Sequence, residues 1–235
     1  MSIPKNLLLL KETMNIEIEI TLRCNASCMN CNRFCNMIDL GIDYSDSDMG
    51  MEDIKKFIEA VKNHGDIFRV TIIGGEPTLN KNFNEICAQM KKELFDTGII
   101  KDLVVSSNGI NTFKTDIQNV RISVTSEKHQ KHICHLMAPC DTNQERIENY
   151  SCAVINQCGI AYNKYGIYPC GPGGALVRLF KLKNLTKSSL PKGIRDFGDL
   201  EEMCKRCQMS AKTYLLEREN NRIISKSFQE IINGL

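Results

Sequence analysis

Ile16-Glu17-Ile18-Glu19-Ile20-Thr21-Leu22-Arg23-Cys24-Asn25-Ala26-Ser27-Cys28-Met29-Asn30-Cys31 is the stretch from which the fold follows. Ile16, Ile18, Ile20 and Leu22 alternate with Asn15, Glu17, Glu19 and Thr21, a period-2 strand pattern. Three cysteines at C-x3-C-x2-C spacing come directly after it, so they lie on a loop leaving a strand end. That is where α/β folds place their chemistry. Thiolates are the soft ligands that iron–sulfur clusters require, and a close local run of Cys is their usual signature. Three of them can hold three irons of a cubane [4Fe–4S] cluster and leave the fourth iron open to a small molecule.

Outward from this stretch the pattern repeats. Ile54, Phe57, Ile58 and Val61 recur at helical spacing and predict an amphipathic helix near 51–64. Phe68-Arg69-Val70-Thr71-Ile72-Ile73 reads as a strand running into Gly74-Gly75-Glu76-Pro77. Phe83, Ile86, Cys87, Met90 and Leu94 mark a second helix, with Gly98 at a C-cap position. Leu103-Val104-Val105 is a third strand, ending in Ser106-Ser107-Asn108-Gly109, and Val120, Ile122 and Val124 make a fourth. Strand, helix, strand, helix in that order argues for parallel βαβ units. Each takes about 30 residues, so four or five fit before residue 145, whereas a closed eight-fold barrel takes about 250 residues. The expected architecture is α/β: an open, partial (β/α) TIM-like barrel over residues 1–145 and a small cysteine-rich module with a C-terminal helix over 146–235.

This pair of motifs in this order, C-x3-C-x2-C after one strand and Gly-Gly-Glu-Pro after the next, resembles the radical S-adenosylmethionine (radical SAM) enzymes. The position before the third Cys, often aromatic in that family, is Asn30. The resemblance implies a [4Fe–4S] cluster on Cys24, Cys28 and Cys31, with SAM on the open iron. It also implies contact between Gly74, Gly75, Glu76, Pro77 and the SAM amino group. Glycines expose backbone and permit close approach of a ligand, and proline fixes the exit angle. Ser107 and Asn108 at the third strand end, and Ser123 on the fourth strand, are further cofactor-binding candidates; Ser106-Ser107-Asn108-Gly109 reads equally as an Asn-Gly turn. Cys35 follows closely and reads as a small core or loop residue rather than a fourth ligand. A reduced cluster of this kind donates an electron to SAM, giving methionine and a 5′-deoxyadenosyl radical that abstracts hydrogen from a C–H bond. An external one-electron donor such as flavodoxin or ferredoxin is implied.

The 235 residues hold 42% hydrophobic residues and a formal charge of +2. No basic run or aromatic-rich basic strand is present, which argues against nucleic acid as a partner. Leu7 to Leu10 is too short an apolar patch for a membrane span, and the reading is cytoplasmic, without a membrane partner. Twelve cysteines in a chain of this kind point to metal sites before disulfides.

From about residue 150 the texture changes. Cys152, Cys158 and Cys170 surround a hairpin, Ile160-Ala161-Tyr162 and Gly166-Ile167-Tyr168, and Cys204-Lys205-Arg206-Cys207 comes later. This order resembles the auxiliary-cluster modules SPASM and Twitch, and most of all the Twitch dehydrogenase of butirosin biosynthesis, which oxidises an aminocyclitol alcohol. The resemblance implies an auxiliary [4Fe–4S] cluster, with five candidates for four places; four Cys in two pairs also suit tetrahedral zinc. Residues 211–233 read as helical. Glu127, Lys128, His129, His132 and His135 cluster after the fourth strand, and His129 and His135 are the candidate acid–base residues because His titrates in the useful range. The function these features predict is an oxidoreductase: a dehydrogenase or epimerase taking hydrogen from a small polar substrate such as a sugar or aminocyclitol. The rivals are a peptide-modifying SPASM-type enzyme, a glycyl-radical enzyme activase, and an electron carrier with two clusters.

Overall fold

Met51–His64 is a helix, α1, for reasons written in its sequence. Ile54, Phe57, Ile58 and Val61 fall on one face and are buried. The Asp53 carboxylate accepts from the Gly50 N–H at 3.0 Å, satisfying a donor at the helix start. Gly65, at φ +77°, ends the helix in the left-handed region where glycine pays no Cβ penalty. The computed structural model describes residues 14–26, 31, 33–35, 44–122, 154, 158–182, 184–204 and 207. Strand β1 (Met14–Glu19) precedes α1, and β2 (Ile67–Ile73), α2 (Phe83–Met90), β3 (Asp102–Ser107) and β4 (Asn119–Ile122) follow it. After α2 the chain continues as a π-helical turn, Lys91–Phe95, and reverses at Gly98, φ +73°.

β1, β2, β3 and β4 are parallel neighbours in chain order. The sheet adds β2 and β3 on the same side, each after a crossover helix, and β4 beyond them after a loop, which is how a barrel is wound; this one is open, an α/β, partial TIM-like fold. On the other edge of β1 lies β5 (Ile160–Asn163), also parallel, with β6 (Gly166–Tyr168) turning back antiparallel to it. The predicted hairpin therefore extends the main sheet. Helix α3 (Gly171–Leu179) follows the hairpin, and a short helical turn, α4 (Glu201–Cys204), packs against it.

β1 is central, and both of its faces are covered. Ile18 pairs in register with Tyr162, whose ring meets Phe57 of α1 edge-on with centroids 4.9 Å apart, so the isoleucines face the helices. Glu17 and Glu19 therefore point to the opposite face, and they are buried too, 6% and 1% exposed. Alternation alone does not reveal that the polar side of this strand is roofed. The roof is the cysteine loop folding back and the start of α3. Among the described residues no helix is long and apolar enough to cross a membrane.

Candidate active site at the strand ends

The C-terminal ends of β1, β2 and β3 carry the three sequence motifs, and hydrogen bonds knit them together. The Gly75 N–H donates to the Thr21 carbonyl at 2.9 Å and the Glu76 N–H to the Arg23 carbonyl at 2.8 Å. A Cβ on Gly74 would stand 2.2 Å from the Thr21 oxygen, and one on Gly75 would stand 2.2 Å from that of Arg23. The glycines are thus required by the chain's own backbone, at the entry to the cysteine loop.

Glu76 is fully buried, and its carboxylate is a hub. It accepts from the Thr78 N–H (3.2 Å), the Thr78 hydroxyl (2.7 Å), the Ser107 hydroxyl (2.9 Å) and the Asn108 N–H (2.8 Å). The turn after β2 and the turn after β3 are held as one unit by this group, which leaves backbone as what the Gly-Gly-Glu-Pro turn can offer to a ligand. Pro77 opens the 3-10 turn Pro77–Leu79 that follows.

Asn108 reaches from this unit to the first cysteine. Its Oδ1 accepts from the Ile110 N–H at 2.9 Å, which orients the amide so that Nδ2 donates to Asn25 Oδ1 at 2.8 Å and to Cys24 Sγ at 3.8 Å. The Ala26 N–H also donates to Cys24 Sγ, at 3.4 Å. Two donors aimed at one sulfur suit a thiolate that carries charge on ligating iron. Cys24 and Cys31 are half-buried at the sheet's C-terminal edge. Cys35, by contrast, is 2% exposed, and its hydrogen bond with Cys31 and its burial hold the thiol well above its ordinary pKa. These features fit the soft-donor loop that a [4Fe–4S] cluster takes. Arg23 braces its start through Asp48, with Nε at 3.0 Å and Nη2 at 2.6 Å from the carboxylate.

Beneath the loop lies an ionic cluster that sequence reasoning missed. Arg33 donates to Glu17 at 2.6 Å and to Glu19, and Asn163 Nδ2 donates to the second oxygen of Glu19 at 2.7 Å. Burial alone would lower the Arg33 pKa, but the two carboxylates outweigh it and keep the guanidinium charged. The signal for this cluster was available: two Glu in an isoleucine strand leading into a cysteine motif, and one Arg between Cys31 and Cys35.

The C-terminal cysteines border the same region. Cys170 caps α3, its sulfur accepting from the Gly173 N–H at 3.2 Å, and a helix N-terminus stabilises a negatively charged sulfur. A Cβ on Gly173 would lie 2.9 Å from Cys170 Sγ and 2.7 Å from Met203 Sδ, so the turn that carries Cys204 is pressed onto this helix start. Cys207 closes back on it, its N–H donating to the Cys204 carbonyl at 3.1 Å. The Cys158 thiol donates to Glu17, and burial together with that carboxylate pushes its pKa up to about 12. Among the described residues no three His, Cys, Asp or Glu stand grouped so as to hold one metal ion. Cys28, Cys152, Ser123, Thr125, Glu127, Lys128, His129, His132, His135 and the stretch 211–233 lie outside the described residues.

Parallel strands that deliver a cysteine loop and a glycine turn to one C-terminal edge have the layout of an enzyme built on a partial barrel. More particularly, residues 18–123 match the model of the Radical SAM superfamily, and this part of the chain is a radical SAM domain. A radical SAM domain implies a [4Fe–4S] cluster and SAM. Two similar proteins are probable GTP 3′,8-cyclases. That of Methanothermobacter marburgensis is 29% identical over 96 residues, 41% of this chain and 28% of that protein. That of Pyrococcus horikoshii is 26% identical over 125 residues, 50% of this chain and 36% of that protein. The matched stretches thus span only about a third of these relatives. The crystal structure of BtrN in complex with AdoMet and 2-DOIA aligns with a TM-score of 0.47 at 14% identity, over 89% of this chain and 87% of that one.

Proposed function

We propose that Cys24, Cys28 and Cys31 hold the cluster, that the backbone of Gly74 to Pro77 and the Ser107-Asn108 edge receive SAM, and that a second [4Fe–4S] cluster sits on four of Cys152, Cys158, Cys170, Cys204 and Cys207. The substrate is a small polar molecule, a sugar, aminocyclitol or similar, and the net reaction is an oxidation or epimerisation. When bound, the cluster and SAM supply reductive cleavage and a radical able to take hydrogen from an unactivated C–H bond. The chain's own part is positional. Glu76 locks two strand-end turns into one rigid edge, and Asn108 and Ala26 supply donors to the Cys24 sulfur. Ser123 extends the SAM edge and His129 or His135 moves the substrate proton in this reading. An external one-electron donor completes the system, in the cytoplasm.

The observation behind the oxidative reading is that the turn carrying Cys204 packs onto the helix start capped by Cys170, with Met203 Sδ 2.7 Å from the Cβ position of Gly173. A second redox centre on these cysteines would take an electron from the substrate radical. The test is iron and sulfide content after anaerobic reconstitution, native chain against a Cys24/Cys28/Cys31→Ala variant. About eight irons falling to about four supports two clusters. About four falling to almost none removes the auxiliary centre and moves redox-neutral chemistry ahead. The printed names of the relatives favour one other reading, cyclisation of a nucleotide; incubating the reconstituted chain with SAM, a reductant and GTP tests it, and a cyclised nucleotide product would displace the small-polyol reading.

A further inference from the structure

Asn108 is fixed at both of its ends. Its backbone N–H donates to Glu76 Oε2 at 2.8 Å, so the buried carboxylate of the turn after β2 sets where the residue stands. Its Oδ1 accepts from the Ile110 N–H at 2.9 Å. That bond decides which way the amide faces, because the reversed amide would set a donor against a donor. The two hydrogens on Nδ2 then have two acceptors, Asn25 Oδ1 at 2.8 Å and Cys24 Sγ at 3.8 Å. Asn25 is anchored in turn, its Nδ2 donating to Asn111 Oδ1 at 3.1 Å. The donor that faces the Cys24 sulfur is thus held from each side rather than left to a rotamer.

We propose that Asn108 raises the reduction potential of the cluster on Cys24, Cys28 and Cys31 by donating an Nδ2 hydrogen to the Cys24 sulfur. It is a positioning residue that acts through Cys24. The inference rests on the assignment of that cluster made above and is independent of any second one. Iron–sulfur potentials follow the charge and the hydrogen bonds at the sulfurs. Reduction adds negative charge, part of it on the ligating sulfurs, and a donor aimed at such a sulfur stabilises it. Without the amide hydrogen, reduction is harder and the potential falls. A carboxylate in its place sets a charge against the sulfur, and the potential falls further. The Ala26 N–H, 3.4 Å from the same sulfur, belongs to the backbone and stays in every side-chain variant. A mere brace would not order the variants by charge, and a mere contact to SAM would act only with SAM bound.

The experiment is a potentiometric titration of the anaerobically reconstituted full chain, first without SAM and then with it. It is followed by electron paramagnetic resonance, with iron per chain determined alongside. The signal that the Cys24/Cys28/Cys31→Ala variant lacks identifies the cluster. Asn108→Ala, Asn108→Asp and Asn111→Ala are compared with the native chain. Asn108→Ala is expected to titrate at lower potential without SAM, and Asn108→Asp lower still. Asn111→Ala is expected to keep the native potential, since its bonds run to Asn25 and Thr78. Should one of the Asn108 variants fail to load iron, the other decides by its own downward shift. Loss of iron from both, with native loading in Asn111→Ala, makes Asn108 a brace and overturns the proposal. So does an unmoved or raised potential in Asn108→Ala. A shift seen only with SAM present makes Asn108 a SAM contact and overturns it too. A native chain whose iron is unchanged in the triple alanine variant overturns the cluster assignment itself; iron lost in that variant, with potentials unmoved in the Asn108 variants, overturns the role of Asn108 alone.

Discussion

At the scale of single residues, Gly75 decides whether the site can be assembled. Its Cα is held so near the Arg23 carbonyl that a Cβ would stand 2.2 Å from that oxygen and 2.8 Å from that of Leu22. Both obstacles are backbone, so neither can rotate away as a side-chain end would. Gly75→Ala must therefore push the strand-end turn and the cysteine-loop entry apart, stretching the bonds from Gly75 N–H to Thr21 and from Glu76 N–H to Arg23. Overpacking of this kind costs on the order of 1–3 kcal/mol, and the rigid partners place it at the upper end. The variant is expected to show a lower urea midpoint in the metal-free protein and, after reconstitution, to bind less iron than the native chain. Full iron loading with an unchanged midpoint would show that the turn has another way to seat.

Among elements, α2 shows how burial writes itself into pH dependence. Cys87 on its inner face is 3% exposed, and burial pushes its thiol up to about 11 although the Thr115 side chain offers a compensating hydrogen bond. An unfolded-chain Cys titrates near 8.5. Between roughly pH 8.5 and 11 the unfolded chain has released a proton that the folded chain keeps, so stability falls as pH rises, by up to about 1.4 kcal/mol per unit. Cys87→Ala is expected to flatten that alkaline limb relative to the native chain, read as the pH dependence of urea midpoints in metal-free protein; parallel limbs would mean the thiol is not held neutral. α2 itself, α1 and the hairpin of β5 and β6 were legible because their apolar periodicity or turn residues are local facts. Helix α3 was not, since Gly171-Pro172-Gly173-Gly174 reads as a breaker. Its glycines answer to packing that only the fold creates: against Arg33 at Gly171, Met203 at Gly173 and the Tyr168 ring at Gly174. The cysteines and the Gly-Gly-Glu-Pro turn were legible as chemistry, while the carboxylates of β1 needed the three-dimensional roof to become more than the polar half of an alternation.

Across the whole molecule, the two cysteine regions are joined through one seam. β5 lies in parallel register with β1, Ile16 opposite Ile160 and Glu19 opposite Asn163, so the C-terminal segment hangs on the central strand of the N-terminal sheet. Gly159 sets the entry to that seam. It has φ +77°, and a Cβ on it would stand 1.8 Å from the Asn15 carbonyl oxygen. Gly65 supplies an internal control, because it has the same φ, +77°, with nothing within 4 Å of its Cβ position. Gly65→Ala pays the left-handed backbone cost alone, about 1–2 kcal/mol. Gly159→Ala pays that and the collision, and its only relief is for β5 to draw away from β1. The expected result is a larger loss of stability in Gly159→Ala than in Gly65→Ala, with limited proteolysis cutting after residue 157 at low urea while the segment before residue 123 stays protected. Asn163 and Gly171 would then leave Glu19 and Arg33. Equal losses in the two glycine variants, with no early cleavage, would mean that the C-terminal segment is held by α3 and α4 rather than by the β1–β5 ladder. Prising the ladder apart would then leave both cysteine sets where they are.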